Sequence, residues 1–543
     1  MGTKTYDNYN DLITFSRAST ASAFAKISYG DELVTNGTFD SDFTGWTVGN
    51  DPTAVVVSGE ATYGRQAGIS DAYINQVITT EANAYYEINF DITAKTGTVF
   101  FSVREEGVTL KNYTSISVGS HTVYATANDA GFHLRFVNRT EGEYITIDNI
   151  SMRKVLYDQA DGTVQLFTNH PVDKPRIEYD SDGNILGLLV EEARTNIQYY
   201  SNTSAQWAPL GCTIDQDSAY GAPTYPNLTK LQISTASTTH MVFEYPMAHD
   251  QTDNTCASCV VKAGNHRYVF MRVKGSNYHY VTVIFDLNDG TITQSTAESD
   301  YTLVDSGSIE LGDGLWRLWF TYNHLTYTSQ ASVLTVGFSP SATPSLYAPQ
   351  GTPTYTADNN VDYFYVGFLQ QEKGLFPSSY IPTTSTTVTR SADVASIATS
   401  AFGYNDEGVG TLFVEVKELA NSSAQAVITM SDNSASNRVK ILESATNWNM
   451  LIRKGGANQA AQSIGAQTGA STKLSLGFAE HNVRGALNGT LCAKDSVALM
   501  PPNLTDFNIG AAFDETAQLN GHIKSITYYP RRLSDAQLQE LTT

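Results

Sequence analysis

The sequence predicts an all-β protein built from tandem antiparallel β-sandwiches. Aromatic residues are abundant, with 31 Tyr and 23 Phe, whereas charged residues make up only 16% of the chain. Such a composition favours strands over long helices. Apolar and polar residues also alternate in several segments, which is typical of strands with one buried face. Because 543 residues are too many for one hydrophobic core, we expect several domains.

Charge and hydropathy exclude two classes of partner. The net charge is −22 and the pI is near 4.8, whereas a phosphate backbone is bound through clustered Lys and Arg. No apolar stretch reaches the roughly 18 residues that a membrane helix needs. The start of the chain also lacks the apolar region of a secretory signal. We expect no nucleic-acid partner, no membrane insertion and synthesis in the cytoplasm.

The four cysteines do not form a disulfide framework. Cys256-Ala-Ser-Cys259 has the spacing of a metal or redox site. It lies at the start of a predicted strand, however, where residues three apart point to opposite faces. We interpret both cysteines as buried small hydrophobes.

Residues 1–30 are predicted to be an N-terminal docking segment. A polar lead is followed by Phe15-Ser-Arg-Ala-Ser-Thr-Ala21. The segment is too short to form a core of its own. We expect it to pack against residues 156–197, a neighbouring subunit or a larger particle.

Residues 31–155 are predicted to be an inserted domain. They open with Glu32-Leu-Val-Thr-Asn-Gly-Thr-Phe-Asp40 and Phe43-Thr-Gly-Trp46, and they close with Tyr144-Ile-Thr-Ile-Asp-Asn-Ile-Ser-Met152. Both ends resemble those of carbohydrate-binding modules with a jelly-roll fold. The alternation from Tyr86 to Thr93 predicts a strand with one wet face.

This resemblance suggests candidate ligand-binding residues. We interpret Trp46 as a core anchor rather than a platform for sugar stacking. Exposed tyrosines are equally good platforms, and the sequence does not choose among Tyr63, Tyr73, Tyr85 and Tyr113. Such modules often hold a structural Ca²⁺ near the closing Asp, so Asp148 is a candidate calcium ligand. The alternative is an Asp that bonds its own turn.

Residues 156–197 are predicted to be a connecting and organising segment. It contains Pro175-Arg-Ile-Glu-Tyr-Asp180 and Gly187-Leu-Leu-Val-Glu-Glu-Ala-Arg-Thr-Asn196. Adjacent residues on a strand point to opposite faces, so Glu191 and Glu192 are a poor catalytic pair. We expect Glu191, Glu192 and Arg194 to be solvated or to contact another subunit.

Residues 198–376 are predicted to be a second jelly-roll sandwich. Turn signals at Asp289-Gly290 and Gly312-Asp-Gly314 separate its predicted strands. The strands are expected at 259–262, 268–273, 280–285, 315–322 and 361–369. Residues 377–397, rich in Ser, Thr and Pro, are predicted to be an extended connector.

Residues 398–543 resemble a laminin-G/concanavalin-like sandwich. Leu412 to Val416, Trp448 to Ile452 and Leu474 to Phe478 alternate as strands do. Near the C-terminus, Ser534 followed by Gln537 predicts a capped helix. Trp448 is a further candidate for carbohydrate binding.

Several landmarks together resemble virion proteins of tailed bacteriophages. They are the first motif, at 15–21, the two motifs of residues 175–196, and Ser378-Ser-Tyr-Ile-Pro-Thr383 with Val388-Thr-Arg-Ser-Ala-Asp393. The resemblance implies a virion location, other virion proteins as partners and a homotrimer. It also implies a host-surface glycan as ligand, bound at a tail fibre, tail tip or capsid decoration.

The sequence lacks the residue patterns of common catalytic sites, and we predict that the protein is not an enzyme. Glucan hydrolases of the lectin-like fold carry E-x-D-x-x-E, since two carboxylates must flank the sugar bond. The nearest string is Glu178-Tyr-Asp180, with Gly183 in the last position, and it precedes the lectin-like domain. No G-x-S-x-G, H-E-x-x-H or phosphate-loop motif is present.

The function predicted from the sequence is therefore a structural and adhesive virion protein that presents glycan-binding sandwiches. Two alternatives remain. One is a polysaccharide-degrading virion enzyme, and the other is a purely structural capsid decoration protein. Apart from calcium at Asp148, no cofactor is predicted.

Overall fold

The structure, a computed structural model, is almost entirely β, which confirms the all-β prediction. The chain divides into two compact units: a short unit, residues 26–163, and a long unit, which contains the chain up to Ala25 and from Val164 onward. No helix in the described part of the chain is both long and apolar enough to cross a membrane. The structure describes residues 12–543 except 52, 69–70, 83, 106–107, 117, 128–130, 158, 160, 221–224, 226–227, 245–246, 250–253, 276–278, 299, 325–329, 349, 405–407, 419–424, 445 and 468–470.

The short unit contains two antiparallel sheets around one core. In the first sheet, Gly119–Thr126, Tyr85–Lys95, Tyr144–Tyr157 and the part of Ala21–Glu32 from Lys26 on follow one another in space, with Glu60–Gly64 and Val55–Val57 beside Tyr144–Tyr157. Strand Thr163–His170 belongs to the long unit from Val164 on. The strands of the second sheet, which we call the outer sheet, are Thr47–Gly49, Ala72–Thr79, Gly131–Asn138, Val99–Glu105 and Val108–Ile116.

The core of the short unit follows the predicted alternation. Strand Tyr85–Lys95 turns Tyr86, Ile88, Phe90 and Ile92 inward, while the residues between them face outward. Trp46 is buried in the same core, and its ring centre is 5.5 Å from that of Phe39. The interpretation of Trp46 as a core anchor is confirmed.

The central sandwich of the long unit also has two sheets. One contains Cys212–Tyr220, Leu228–Ile233, Tyr363–Lys373, Thr255–Ala263, Leu315–His324 and Tyr301–Glu310, with Arg194–Asn196 and Val388–Arg390 at its side. The other contains Ala208–Leu210, Met241–Phe243, Met247–His249, Gln330–Phe338, Tyr268–Gly275, Tyr280–Asp286 and Ile292–Ala297. The five strands predicted here are present. Cys256 and Cys259 are both buried, as expected, and burial raises the pKa of each thiol.

The C-terminal sandwich of the long unit takes strands from three parts of the chain. One sheet contains Thr14–Ser16, Val394–Ala398, Asp506–Ile509, Ala426–Ser431, Arg438–Ser444, Asn447–Lys454 and Ala457–Ala466. The other contains Arg176–Tyr179, Ile185–Val190, Gly521–Tyr529, Gly410–Glu418, Thr472–Phe478, Arg484–Leu487 and Thr490–Leu491. Helix Asp535–Thr542 follows, and Ser534 and Gln537 form its predicted capping box.

Short paired segments complete the long unit. They are the two-residue strands Ser237–Thr238 with Tyr355–Thr356 and Leu346–Tyr347 with Thr352–Pro353, and the 3₁₀ turns Ser204–Gln206 and Thr399–Phe402.

The segment 377–397 is not the extended connector that its composition suggests. Ser378, Tyr380 and Ile381 are buried, and Val394–Ala398 pairs with Asp506–Ile509 inside the C-terminal sandwich. Thr383 accepts the amide of Ser201 and donates to the carbonyl of Gln198. This segment, rich in proline and threonine, is therefore buried and hydrogen-bonded within the long unit and does not act as a spacer.

Five buried charged side chains of the long unit form what we call the arginine cluster: Arg17, Arg176, Arg390, Glu191 and Asp393. Asp393 accepts a hydrogen bond from Arg17 Nη1 at 3.0 Å and also pairs with Arg176. Glu191 is 2.8 Å from Arg176 Nη2 and 3.5 Å from Arg390 Nη2. Buried charges are tolerated when opposite charges pair in this way.

The prediction that Glu191 is solvated or subunit-contacting is wrong. Its carboxylate is fully buried, and it accepts the Ser379 amide at 2.8 Å and the Ser379 hydroxyl at 2.7 Å. Burial alone would raise the pKa of Glu191, but Arg390, Arg176 and Ser379 outweigh burial and hold the pKa well below its usual range. The carboxylate is therefore ionised inside the fold.

The arginine cluster also explains the sequence landmarks. Arg17 comes from the first motif, Arg176 and Glu191 from the two motifs of residues 175–196, and Arg390 and Asp393 from the last one. These segments are far apart in sequence, yet their charged residues meet at one point. The landmarks therefore specify the interior of the fold.

Candidate functional site

A cavity of about 400 Å³ lies in the long unit, between a face of the central sandwich and the hairpin Arg176–Tyr179/Ile185–Val190 of the C-terminal sandwich. Its volume falls in the range of small-molecule sites in proteins, roughly 300–1,000 Å³. It is lined by residues 22, 24, 164, 166, 178–181, 186, 189, 191, 225, 260, 308–311, 317, 319, 368, 376–380, 417 and 522. No single predicted domain would have contained it.

Aromatic rings form one wall of the cavity. The ring centres of Phe24 and Tyr225 are 5.3 Å apart, those of Tyr225 and Phe368 are 5.1 Å apart, and those of Phe368 and Tyr380 are 4.9 Å apart, all edge-to-face. Such contacts hold the rings in place. Trp319, only partly buried, also lines the cavity, because residues 317 and 319 of strand Leu315–His324 face it.

A carboxylate–histidine pair lies at the cavity wall. Glu178 Oε2 is 2.8 Å from His522 Nε2, and Glu178 Oε1 accepts the amide of Phe24 at 2.9 Å. Both side chains are buried. Strand Arg176–Tyr179 explains their position, since alternate residues turn Arg176 and Glu178 to one side and Ile177 packs against the sandwich core.

Two buried polar atoms of the cavity lining have no hydrogen-bond partner among the described residues. They are Ser22 Oγ and His522 Nδ1. Folded proteins leave few buried polar atoms unpaired, because each one costs free energy. A ligand with hydroxyl groups would supply such partners.

The remaining polar groups carry both signs of charge. Arg317 donates to Ser258 Oγ at 3.1 Å, and Asp180, Glu310 and Lys417 also line the cavity. Burial would raise the pKa of Asp180, but its bonds from Asn184 outweigh burial and lower it. Asp180 is thus an ionised group that holds its own turn.

Most of the predicted carbohydrate platforms do not offer an open ring, which corrects that prediction. Tyr63 is 1% exposed, Tyr85 6% and Trp448 2%, because each one faces inward or packs against neighbouring rings. Tyr63 borders a second hollow of about 440 Å³ in the short unit without being exposed to it. Tyr73 is half-buried, and its ring is covered by Arg135. The side chain of Tyr113 lies outside the described residues.

Asp148 meets only part of the requirement for a calcium site. Its Oδ1 is buried without a partner, and burial raises the pKa of Asp148, with contributions from Glu60, Asp91 and Asp40. No group of three metal-ligating side chains occurs among the described residues, whereas Ca²⁺ takes six to eight oxygens. The described side chains do not complete the site, so calcium at Asp148 stays a prediction.

Sequence reasoning missed the cavity residues Tyr225, Arg317, Trp319 and His522. Glu178 and His522 are 344 residues apart, so no local motif joins them. One signal was available: the string Glu178-Tyr-Asp180 stood out as the nearest match to a catalytic carboxylate pattern. Two features spoke against it: Gly183 stands in the last position of the pattern, and the string precedes the residues predicted to form the lectin-like domain.

Comparison with protein-family models finds no match, and comparison with curated proteins finds none. Among solved structures, the chain is similar to domains LG4-5 of the mouse laminin alpha1 chain, at 12% identity and a TM-score of 0.19, over 60% of this chain and 96% of that chain. It is similar to Trypanosoma rangeli sialidase in complex with the inhibitor DANA, at 11% identity and a TM-score of 0.23, over 97% and 94%. It is also similar to a glycoside hydrolase of family 32 from Bifidobacterium adolescentis, at 8% identity and a TM-score of 0.15, over 85% and 99%.

The prediction that the chain is not an enzyme is withdrawn. A sialidase and a glycoside hydrolase stand among the similar structures, although TM-scores this low carry no argument for any one activity. The structure also removes one of the sequence arguments for that prediction, namely that Glu178-Tyr-Asp180 lies outside the lectin-like domain. Glu178 lies on an edge strand of the C-terminal sandwich, not outside it, and both Glu178 and Asp180 line the cavity.

Proposed function

We propose that this protein binds glycans and that the cavity of the long unit is the binding site. The observation that carries the proposal is the combination of an aromatic wall with two unpartnered buried polar atoms. Sugars present C–H faces that pack on aromatic rings and hydroxyl groups that pair with polar atoms. The cavity volume of about 400 Å³ suits one or two sugar units.

We also propose the finer role, an adhesive virion protein of a tailed phage that acts at the host surface. This rests on the resemblance of the landmark motifs. The charged residues of these motifs meet in the arginine cluster, so the motifs are tied to the interior of the fold. Immunogold labelling of phage particles would test the virion location directly. Homotrimers and many copies per particle would raise avidity at weak single sites.

Glycan hydrolysis is a second candidate activity of the same cavity. Glu178 and Asp180 both line it, Glu178 from strand Arg176–Tyr179 and Asp180 from the turn that follows the strand. Glycosidases hold their two carboxyl groups roughly 5–9.5 Å apart. The contact between Glu178 and His522 gives one of the two carboxylates an imidazole partner.

A glycan array probed with the full chain, followed by calorimetry on the glycans retained, tests binding. Trp319→Ala should weaken the affinity at least tenfold, because it removes a cavity ring. Tyr347→Ala is the matched control, since Tyr347 is an exposed aromatic away from the cavity, and it should leave the affinity unchanged. Equal affinities for wild type and a folded Trp319→Ala variant would rule out the cavity.

The second candidate is tested on the same glycans by following reducing-end release. If the cavity hydrolyses a bound glycan, Glu178→Gln should abolish release while binding persists. Binding without release by the wild-type protein would leave adhesion as the function of the cavity.

A further inference from the structure

The outward side of the outer sheet in the short unit carries a group of basic and aromatic side chains, which we call the arginine face: Tyr73, Phe100, Arg104, Arg135 and Arg139. Strand alternation explains it, because Ile74, Phe101 and Phe136 turn inward to the core. The register places Val137 opposite both Tyr73 and Phe100, and His133 opposite Arg104. The five side chains are therefore neighbours on one surface.

Two guanidinium groups of the arginine face stack on aromatic rings. Arg135 Cζ is 3.9 Å from the centre of the Tyr73 ring, and Arg139 Cζ is 4.4 Å from the centre of the Phe100 ring. On its other side Tyr73 packs against Gly49, where an added Cβ would come within 2.1 Å of the ring. The rings thus orient the guanidinium planes, whose N–H groups can still donate to a ligand.

Among the described residues, two of the three arginines on this face have no ion-pair partner. Arg139 pairs with Asp71 at 3.0 Å, but Arg104 and Arg135 make no ion pair with any described residue. Glu105, next to Arg104, turns to the core side and is buried. The chain as a whole has a net charge of −22 and repels anions, whereas this positive patch attracts them.

We infer that the arginine face binds an acidic polysaccharide, at a site separate from the cavity of the long unit. Guanidinium groups pair with carboxylate or sulfate through two parallel hydrogen bonds. Arg104 and Arg135 are diagonal neighbours on adjacent strands, so their Cα atoms are about 7–8 Å apart. A polymer of acidic sugars presents anionic groups at repeated short intervals along one line and can engage both residues.

The apolar part of the face fits the same occupant. Val77 lies opposite His133 and is 60% exposed, and sugar rings have C–H faces that cover such side chains. Carboxylated and sulfated polysaccharides share the required chemistry. The inference does not depend on the proposed function of the cavity.

The test measures binding of the full chain to polygalacturonate, chondroitin sulfate and neutral dextran at low and moderate salt. We expect binding to one or both acidic polymers, none to dextran, and an affinity that falls as salt rises. Arg104→Gln/Arg135→Gln should weaken binding at least tenfold. Lys494→Gln removes an exposed positive charge of the long unit and should change nothing.

Three outcomes would overturn the inference. The first is that neither acidic polymer binds at low salt, and the second is that the wild-type protein and the folded double variant bind equally well. The third is equally tight binding to single-stranded DNA, which would indicate an unselective attraction to polyanions. Thermal melting establishes that the double variant is folded. Trp319→Ala should retain this binding, which separates the result from that of the cavity.

Discussion

Arginine has opposite roles in two regions of the molecule. In the arginine cluster, Arg17, Arg176 and Arg390 are buried and face Glu191 and Asp393, so their charges are used inside the fold. On the arginine face, Arg104 and Arg135 are only partly buried and have no carboxylate partner among the described residues. Burial and pairing, rather than residue type, therefore decide whether a charge stabilises the fold or remains available to a ligand.

Breaking the arginine cluster should have the largest effect. Asp393 accepts hydrogen bonds from Arg17 and from the amide of Glu191, and it pairs with Arg176. Asp393→Asn leaves three buried arginines with one carboxylate fewer, and removal of one partner from a buried pair costs about 3–5 kcal/mol. Urea unfolding measures the loss in the free energy of unfolding.

Asp71→Asn is the matched control, because Asp71 pairs with Arg139 at the surface, where the two side chains are 40% and 57% exposed. Exposed pairs contribute roughly 0–1 kcal/mol. Similar losses for the two variants would mean that the buried cluster gains nothing from its pairing.

Lowering the pH should reduce the free energy of unfolding through buried ionisable groups of the long unit. Glu191 has a pKa below its ordinary value of 4.5 because Arg390 and Arg176 outweigh burial. A lowered carboxyl pKa contributes stability that is present above the unfolded value and is lost as pH falls toward the folded value. His170 adds to the loss, because burial and then Arg17 lower its pKa well below 6.5, so only the unfolded chain takes up its proton readily.

The expected result is a free energy of unfolding that declines below about pH 6.5 and more steeply below about pH 4.5, by up to about 1.4 kcal/mol per pH unit for each group. Melting temperatures between pH 7 and pH 3 measure it. Glu191→Gln should be less stable at neutral pH but should lose less between pH 4.5 and pH 3. An unchanged acid slope in that variant would exclude Glu191 as a source.

Features set by local sequence could be predicted, whereas features set by contacts between distant segments could not. The strand Tyr85–Lys95, the core position of Trp46 and the capping box at Ser534 were predictable, since period-2 alternation and capping are local. The burial of Glu191 could not be predicted, because two adjacent glutamates are usually exposed to solvent. Its partners Arg176 and Arg390 lie in other segments, and only the folded chain brings them together.

The candidate site was hidden for the same reason. Strand Thr14–Ser16 pairs with Val394–Ala398, and Ile185–Val190 pairs with Gly521–Tyr529, so the C-terminal sandwich is closed by distant segments. The cavity forms where one of these segments meets the central sandwich. Predicted boundaries that separated the segments also separated Glu178 from His522.

The arginine face should show the smallest effect on stability. Arg135 stacks on the Tyr73 ring and forms no ion pair with a described residue, and a cation–π contact near the surface is worth about 0.5–1 kcal/mol. Arg135→Gln should therefore lower the free energy of unfolding by no more than about 1 kcal/mol, and Lys494→Gln should leave it unchanged, when urea unfolding is compared with that of the wild type. A loss comparable to that of Asp393→Asn would show that Arg135 belongs to the fold, and the contrast between the two sets of arginines would fail.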